Sequence, residues 1–153
     1  MESKPQIKIE SFIEAEPAIV WRMITDSEKV SQWLMETNIK PEPGFKGYFK
    51  MKPMPGFDGN IQSKVIEVEE NKLFSYTWQG GWMKNPTTVR FTLHKKSNGT
   101  LLVLEHWGFE GMFGSLLKRM MSGGWKKKMT TLIPQLTKTP NERTKGCIFC
   151  DSR

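Results

Sequence analysis

The sequence predicts an α+β fold in which an antiparallel β-sheet packs against one long C-terminal helix. A first strand is followed by two very short helices rather than by one crossover helix, and this order argues against a repeating βαβ fold. The middle of the chain holds short alternating segments separated by turn residues, and such strands pair antiparallel. The last apolar segment has helical spacing and is long enough to cover one face of the sheet.

The first strand and the two short helices fall before residue 35. Residues 6–14 alternate in hydrophobicity as a strand does. Pro17 opens the first helix, because an N–H missing at that position would have no helical partner anyway. Asp26 and Ser27 are candidate caps of the second helix, since a side-chain oxygen there accepts from an unpaired backbone N–H. The second helix is predicted to end near residues 33–34.

Six further strands follow in the sequence. They are predicted at residues 38–42, 45–52, 61–68, 72–78, 87–95 and 100–107. A stretch rich in proline and glycine, residues 53–59, is predicted to be a loop. Asn98-Gly99 is the strongest hairpin signal in the chain, because both residues tolerate positive φ.

The final helix is predicted over residues 113–136. Its apolar side chains recur at helical spacing: Leu117, Met121, Trp125, Met129, Leu132 and Leu136. A helix of this length is about 36 Å long and crosses a twisted sheet. Gly123-Gly124 is expected to kink it or to allow close packing, and Pro134 to bend or weaken its last turn. The predicted domain is residues 1–138, with a tail at 139–153.

The composition is that of a globular protein with one domain. The chain has 153 residues, and its six Trp and ten Met are many for this length. They indicate either a well-packed core or an adaptable apolar cavity, because both side chains supply large polarisable surface. The net charge of +7 favours anionic partners. Without a long apolar run or a signal peptide, the protein is expected in the cytoplasm.

Several short matches in fixed order point to a known family. They are Ala15, Pro17, Val20-Trp21, Thr25-Asp26, Trp33, Val65, Glu67-Val68, Leu73, Thr77-Trp78, Thr88-Val89, Phe91, Leu93, Thr100, Leu102, Leu104, His106, Gly108-Phe109 and Gly124-Trp125. Together they resemble the START-related, birch-pollen-allergen-like (SRPBCC) superfamily. Within it, the chain is most similar to the homologues of the activator of the heat-shock-protein-90 ATPase. The resemblance covers roughly residues 6–136.

The resemblance implies a helix-grip fold, in which a curved antiparallel sheet wraps around the long C-terminal helix and leaves an apolar cavity between them. The first functional expectation is binding of a hydrophobic small molecule or lipid in that cavity. The alternative is an interaction module that modulates a chaperone ATPase, although such members carry an additional N-terminal domain. A cyclase-like or hydrolase-like enzyme ranks third, because a fold alone does not settle a function.

Ten side chains are candidates for the cavity wall: Trp33, Trp78, Trp82, Phe91, Leu104, His106, Phe109, Met121, Trp125 and Met129. Strand alternation turns His106 to the same face as Leu104. A titratable group on an apolar wall can orient the polar end of a ligand. The alternative is a core histidine whose nitrogens are satisfied by neighbours. Trp82 lies in a glycine-bounded loop and is a candidate mobile lip.

A basic segment without any acidic residue extends over residues 111–139. Its candidate partner residues are Lys118, Arg119, Lys126, Lys127 and Lys128. They form either an ordinary solvated helix face or a docking surface for phospholipid headgroups or an acidic protein. Nucleic acid is not expected as a partner, because no base-reading motif accompanies the charge. The oligomeric state is left open.

No cofactor or metal is expected from the sequence. Cys147 and Cys150 supply two thiolates where zinc needs about four ligands, so they are interpreted as exposed thiols of the tail. The chain has no P-loop, no dinucleotide-binding fingerprint and no Ser-His-Asp arrangement. An enzymatic activity is therefore less expected than binding.

Overall fold

Seven strands form one curled antiparallel sheet that packs against a long C-terminal helix, which confirms the predicted α+β helix-grip fold. The structure is a computed structural model that describes residues 4–81 and 83–137, with the backbone alone at position 113. The strands are β1 (Ile7–Ile13), β2 (Glu36–Thr37), β3 (Lys46–Lys50), β4 (Asn60–Glu69), β5 (Leu73–Gly80), β6 (Thr87–Lys96) and β7 (Gly99–Trp107). The helices are α1 (Pro17–Thr25), α2 (Ser27–Trp33), α3 (Gly111–Lys127) and α4 (Ile133–Thr137), with a π-helical turn at Lys128–Leu132.

The strand order in the sheet is β1-β7-β6-β5-β4-β3-β2, and every neighbouring pair is antiparallel. The first strand therefore lies beside the last one, with Ile7 opposite His106 and Ile13 opposite Thr100. The remaining neighbours are sequential strands joined by hairpin connections or loops. Alternate residues of the strands face the helices and form the core.

The two short helices are confirmed, and side-chain hydrogen bonds fix both of them. Pro17 occupies the first helical turn of α1. The Asp26 carboxylate accepts from the backbone N–H of Glu28 at 3.0 Å and caps α2. The indole N–H of Trp33 donates to the Met23 carbonyl at 2.7 Å, which ties the end of α2 to α1.

The predicted second strand, residues 38–42, is wrong. The strand is only Glu36–Thr37. The hydroxyl of Thr37 accepts from the backbone N–H of Ile39 at 3.0 Å, so a side chain takes the place of a ladder partner. Two prolines follow at positions 41 and 43 and donate no backbone hydrogen bond.

The predicted third strand, residues 45–52, is shorter than expected at Lys46–Lys50. The backbone N–H of Met51 donates to the Gly59 carbonyl at 2.9 Å and so closes a loop over residues 51–59. Within this loop Met54 and Phe57 exchange two backbone hydrogen bonds of 2.9 Å each. The loop is therefore a small closed unit at the end of β3 and β4.

The C-terminal helix runs continuously from residue 111 to residue 137 and contains a π-helical turn just before Pro134. The N–H of Ile133 donates to the Lys128 carbonyl five residues earlier, which makes the turn π-helical. Pro134 has no N–H with which to continue this pattern to the Met129 carbonyl. The buried hydroxyl of Ser11 donates to that carbonyl at 2.8 Å and fastens the helix to β1. Among the described residues, no helix is long and apolar enough to cross a membrane.

Candidate functional site

A groove of about 220 Å³ lies between the sheet and α3, and one side of it is open to solvent. Strands β4 and β5 form its floor, α3 forms one wall, and the loop at residues 51–59 forms the other. The lining residues are Leu34, Met35, Met51, Met54, Phe57, Ile61, Trp78, Gly80, Met83, Leu117, Met120, Met121, Gly124, Trp125 and Lys128.

The walls of the groove are apolar and rich in methionine. Six of the lining side chains are Met, which is unbranched and polarisable and adapts to the shape of whatever it contacts. Met83 is held in place by its sulfur, which accepts from the backbone N–H of Gly80 at 3.1 Å. Such a surface is suited to apolar ligands of different shapes.

Lys128 is the one charged side chain among the described residues that line the groove. Partial burial lowers the pKa of the Lys128 ammonium, and the neighbouring charge of Lys127 lowers it further. Burial disfavours the charged form of Lys128, and an anionic group beside the ammonium stabilises that form. The groove therefore pairs an apolar body with a single cationic point.

The other end of the sheet–helix interface is filled by aromatic rings around Trp125. The ring centroid of Trp125 lies 6.4 Å from that of Trp33, 5.9 Å from Trp78 and 6.0 Å from Phe91. Edge and tilted arrangements at such distances are favourable for aromatic pairs. Trp125 thus separates the filled end of the interface from the groove and borders both.

His106 is completely buried in the filled end, and both of its ring nitrogens are hydrogen-bonded. The indole N–H of Trp125 donates to Nδ1 at 3.1 Å, and since an indole is only a donor, Nδ1 carries no proton. The proton is on Nε2, which donates to Oγ1 of Thr87 at 2.8 Å. That hydroxyl donates in turn to the Trp78 carbonyl at 2.8 Å. Burial lowers the pKa of His106 to about 3.

This geometry favours the core-histidine interpretation of His106 over a ligand-orienting one. The chain from Trp125 through His106 and Thr87 to Trp78 uses the available donors and acceptors within the protein. Phe109 covers the imidazole, with ring centroids 4.6 Å apart. The neutral imidazole acts here as a structural link between β6, β7 and α3.

The structure places the candidate wall residues in three environments. Trp78, Met121 and Trp125 line the groove. Phe109 lines a second cavity of about 490 Å³, next to the start of α3. The remaining described candidates are buried in the core and do not line the groove: Trp33, Phe91, Leu104, His106 and Met129. Trp82 lies outside the described residues.

The wall that the loop provides was not predicted from the sequence. Met51, Met54 and Phe57 all line the groove, and Phe57 is buried. Their neighbours Pro53, Pro55 and Gly56 predicted a loop, and no role in the cavity was assigned to it. Three large apolar side chains in such a short loop were the available signal, because loops are rich in small and polar residues.

The basic side chains of α3 do not all lie on one face. Arg119, Lys126 and Lys127 are exposed, and Lys118 is half-buried. Lys128 differs from them because it lies on the wall of the groove. The surface available to a large anionic partner is therefore formed by Arg119, Lys126 and Lys127.

The described residues hold no group of three His, Cys, Asp or Glu side chains that is arranged to bind a metal ion. Cys147 and Cys150 lie outside the described residues.

The fold and groove define a helix-grip protein, and comparison with known proteins identifies its family. Residues 14–136 match the model of the family described as activator of Hsp90 ATPase homolog 1-like protein, and the chain belongs to this family. The resemblance inferred from the sequence is thereby confirmed. A comparison with curated protein sequences finds no match.

Solved structures from several bacteria share the fold. A Mesorhizobium loti protein is 27% identical over 90% of this chain and 97% of its own, with a TM-score of 0.71. A Bacillus halodurans protein is 24% identical over 86% of this chain and 96% of its own, with a TM-score of 0.72. The Aha1 dimer of Colwellia psychrerythraea is 17% identical over 82% of this chain and 96% of its own, with a TM-score of 0.62. The fold is of a kind that binds ligands, and the comparisons identify no particular ligand for this chain.

Proposed function

We propose that the protein binds a hydrophobic small molecule or lipid that carries an anionic end. The observation that supports this most directly is the groove itself, whose described lining is apolar except for one lysine. Burial of an apolar body against Trp78, Met121 and Trp125 supplies affinity of about 25 cal/mol per Å² of apolar surface removed from water. An anionic head at Lys128 supplies orientation, because it stabilises the partly buried ammonium.

Two neighbouring glycines of α3 provide a test with a matched control. A Cβ added at Gly124 or at Gly123 meets no atom within 4 Å, so both positions accept a side chain. Gly124 lines the groove, whereas Gly123 is exposed. Gly124→Met should fill the groove and weaken binding of anilinonaphthalene sulfonate about tenfold. Gly123→Met should leave that binding unchanged.

The readout is saturable quenching of tryptophan fluorescence by the probe, with thermal unfolding followed in parallel. Equal affinities for both variants and the wild type would show that the probe does not occupy the groove. Absence of saturable binding to the wild type would contradict the proposal outright.

The role of Lys128 has its own matched pair. Lys128→Met should weaken binding of decanoate about tenfold and should weaken binding of decanol much less, because only the carboxylate forms an ion pair with the ammonium. Lys126→Met removes the same charge from the exposed outer face of the helix and should affect neither ligand. Isothermal titration calorimetry measures the affinity of the wild type and of both variants for each ligand. Equal losses for decanoate and decanol would assign Lys128 a packing role instead.

The second candidate is modulation of a chaperone ATPase through the basic face of α3. The family description and the exposed Arg119, Lys126 and Lys127 favour it. It predicts salt-sensitive stimulation of a purified chaperone ATPase that is lost when these three charges are reversed. Stimulation that survives the reversal would contradict it. A reaction through His106 has no comparable support, because both imidazole nitrogens are engaged inside the core.

A further inference from the structure

The outer face of α3 carries large apolar side chains that the fold leaves in solvent. Met112, Leu116 and Met120 follow one another at intervals of four residues and are 91%, 55% and 62% exposed. Side chains at this spacing lie along one face of a helix. Met54, at the tip of the loop over residues 51–59, is 45% exposed and lies next to them. These four residues form the apolar stripe.

Positive charge is interleaved with the apolar stripe. At about 100° per residue, Arg119, Lys126 and Lys127 project from the same outer side of the helix as Met112 and Leu116. All three are exposed, and no acidic residue occurs from Gly111 to Thr137. None of the three forms an ion pair among those seen in the described residues. Apolar and basic side chains on one exposed helix face are typical of helices that lie in a membrane interface.

The apolar stripe continues into the groove. Met54 and Met120 line the groove, and both also line a shallow cavity on its outer side together with Leu116. A partner that covers the stripe therefore covers the mouth of the groove as well. This continuity places the opening at the surface on which the stripe docks.

We propose that the outer face of α3, with Met54, docks on an anionic lipid bilayer. A bilayer supplies both features that the face requires, an apolar interior for the methionines and Leu116 and anionic headgroups for the basic residues. A second copy of the chain fits less well, because a two-fold interface brings the same basic residues together and they repel. Docking in this way needs no occupant in the groove, so it stands independently of the proposed function.

Vesicle co-sedimentation tests the proposal on the full chain. The wild type should bind vesicles of phosphatidylcholine with phosphatidylserine and should not bind phosphatidylcholine alone. Arg119→Gln, Lys126→Gln and Lys127→Gln combined should lower the partition coefficient at least about tenfold. The control combines Lys46→Gln, Lys64→Gln and Lys96→Gln, exposed lysines of the sheet that give the same net charge. It should bind nearly as the wild type does.

The apolar contribution has a separate pair of variants. Met112→Ser with Leu116→Ser should lower vesicle binding about tenfold. Phe12→Ser with Ile66→Ser removes two large apolar side chains that are 46% and 44% exposed from β1 and β4, and it should not lower vesicle binding. Neither Met112 nor Leu116 lines the groove, so binding of anilinonaphthalene sulfonate should be unchanged in the first pair. Thermal unfolding checks that each variant is folded.

Three outcomes would overturn the proposal. The first is no binding to anionic vesicles. The second is binding that the stripe and charge variants reduce no more than their controls do. The third is a wild-type dimer in sedimentation velocity that Met112→Ser with Leu116→Ser dissociates, which would assign the stripe to a second copy. If the wild type binds anionic vesicles but does not bind anilinonaphthalene sulfonate, the proposed function is contradicted and the proposed docking surface is not.

Discussion

The two ends of the sheet–helix interface are built on opposite principles. At the filled end, Phe91 and His106 are completely buried, and His106 is hydrogen-bonded on both sides of its ring. At the groove end, Met120 and Met121 stand beside open space. Trp125 borders both ends. The difference indicates that one end fixes the position of α3 on the sheet and the other end is left to adapt.

Rigidity and adaptability follow from the chemistry of the side chains. Aromatic rings and a satisfied imidazole have few alternative arrangements, because moving one of them unpairs or uncovers its neighbours. Methionine has three rotatable bonds and repacks at little cost. A binding site benefits from this combination, since the anchored end of the helix keeps the methionine-rich walls at a fixed distance from the sheet.

Truncating a side chain should destabilise the protein far more at the filled end than at the groove end. Phe91→Ala removes a ring that contacts Trp33 and Trp125 and should lower the free energy of unfolding by about 3–5 kcal/mol. Met121→Ala removes a half-buried side chain beside the groove and should cost about 1 kcal/mol or less, because little packing is lost. Urea unfolding measures both changes. Equal losses would abolish the distinction between the two ends.

The second prediction concerns acid and depends on His106. Burial lowers its pKa from 6.5 to about 3 in the folded protein. Between these two values His106 is protonated in the unfolded chain and neutral in the folded protein. This contribution to stability is complete above pH 6.5 and is lost as the pH falls from 6.5 toward 3. The loss should steepen from about half of 1.4 kcal/mol per pH unit at pH 6.5 to about 1.4 kcal/mol per pH unit near pH 5. Urea unfolding between pH 7 and pH 5 measures the slope.

A substitution at His106 separates its contribution to the pH dependence of stability from the contributions of other groups. His106→Gln should flatten the slope by about one proton while it lowers stability at pH 7. His94→Gln changes the exposed histidine near the β6–β7 hairpin and should keep the wild-type slope. A wild-type slope in His106→Gln would mean that the buried imidazole does not carry the acid sensitivity.

The filled end was easier to predict from the sequence than the groove. Alternation in β7 placed His106 on the same face as Leu104, and helical spacing placed Trp125 on the apolar side of the last helix. The family resemblance then turned that face of the sheet toward the helix. The hydrogen bond between His106 and Trp125 was not predictable, because it depends on how far α3 is shifted along the sheet. Phe113 to residue 136 was predicted as one helix, and its true extent differs by only a few residues at either end.

The groove exists because side chains leave space between the sheet and α3, and the hydrophobic pattern of a sequence does not predict such space. Met51 and Phe57 approach α3 because the loop closes on itself through the backbone bonds of Met54 and Phe57. A proline-rich sequence predicts a loop but not the side of the sheet to which the loop folds. Whether space remains beside Trp125 depends on Gly124, where the missing side chain leaves room.

Alanine at Gly123 or Gly124 of α3 should change stability only slightly. Gly123→Ala and Gly124→Ala each replace a glycine inside α3 with the best helix former, and neither new Cβ meets an atom within 4 Å. Each should raise the free energy of unfolding by about 0.5–1 kcal/mol, since the unfolded chain loses conformational freedom. Thermal unfolding measures the gain. A loss of stability in Gly124→Ala alone would show that the groove closes on the helix in solution, whereas equal gains at both positions agree with an open groove beside a helix that is held from its other end.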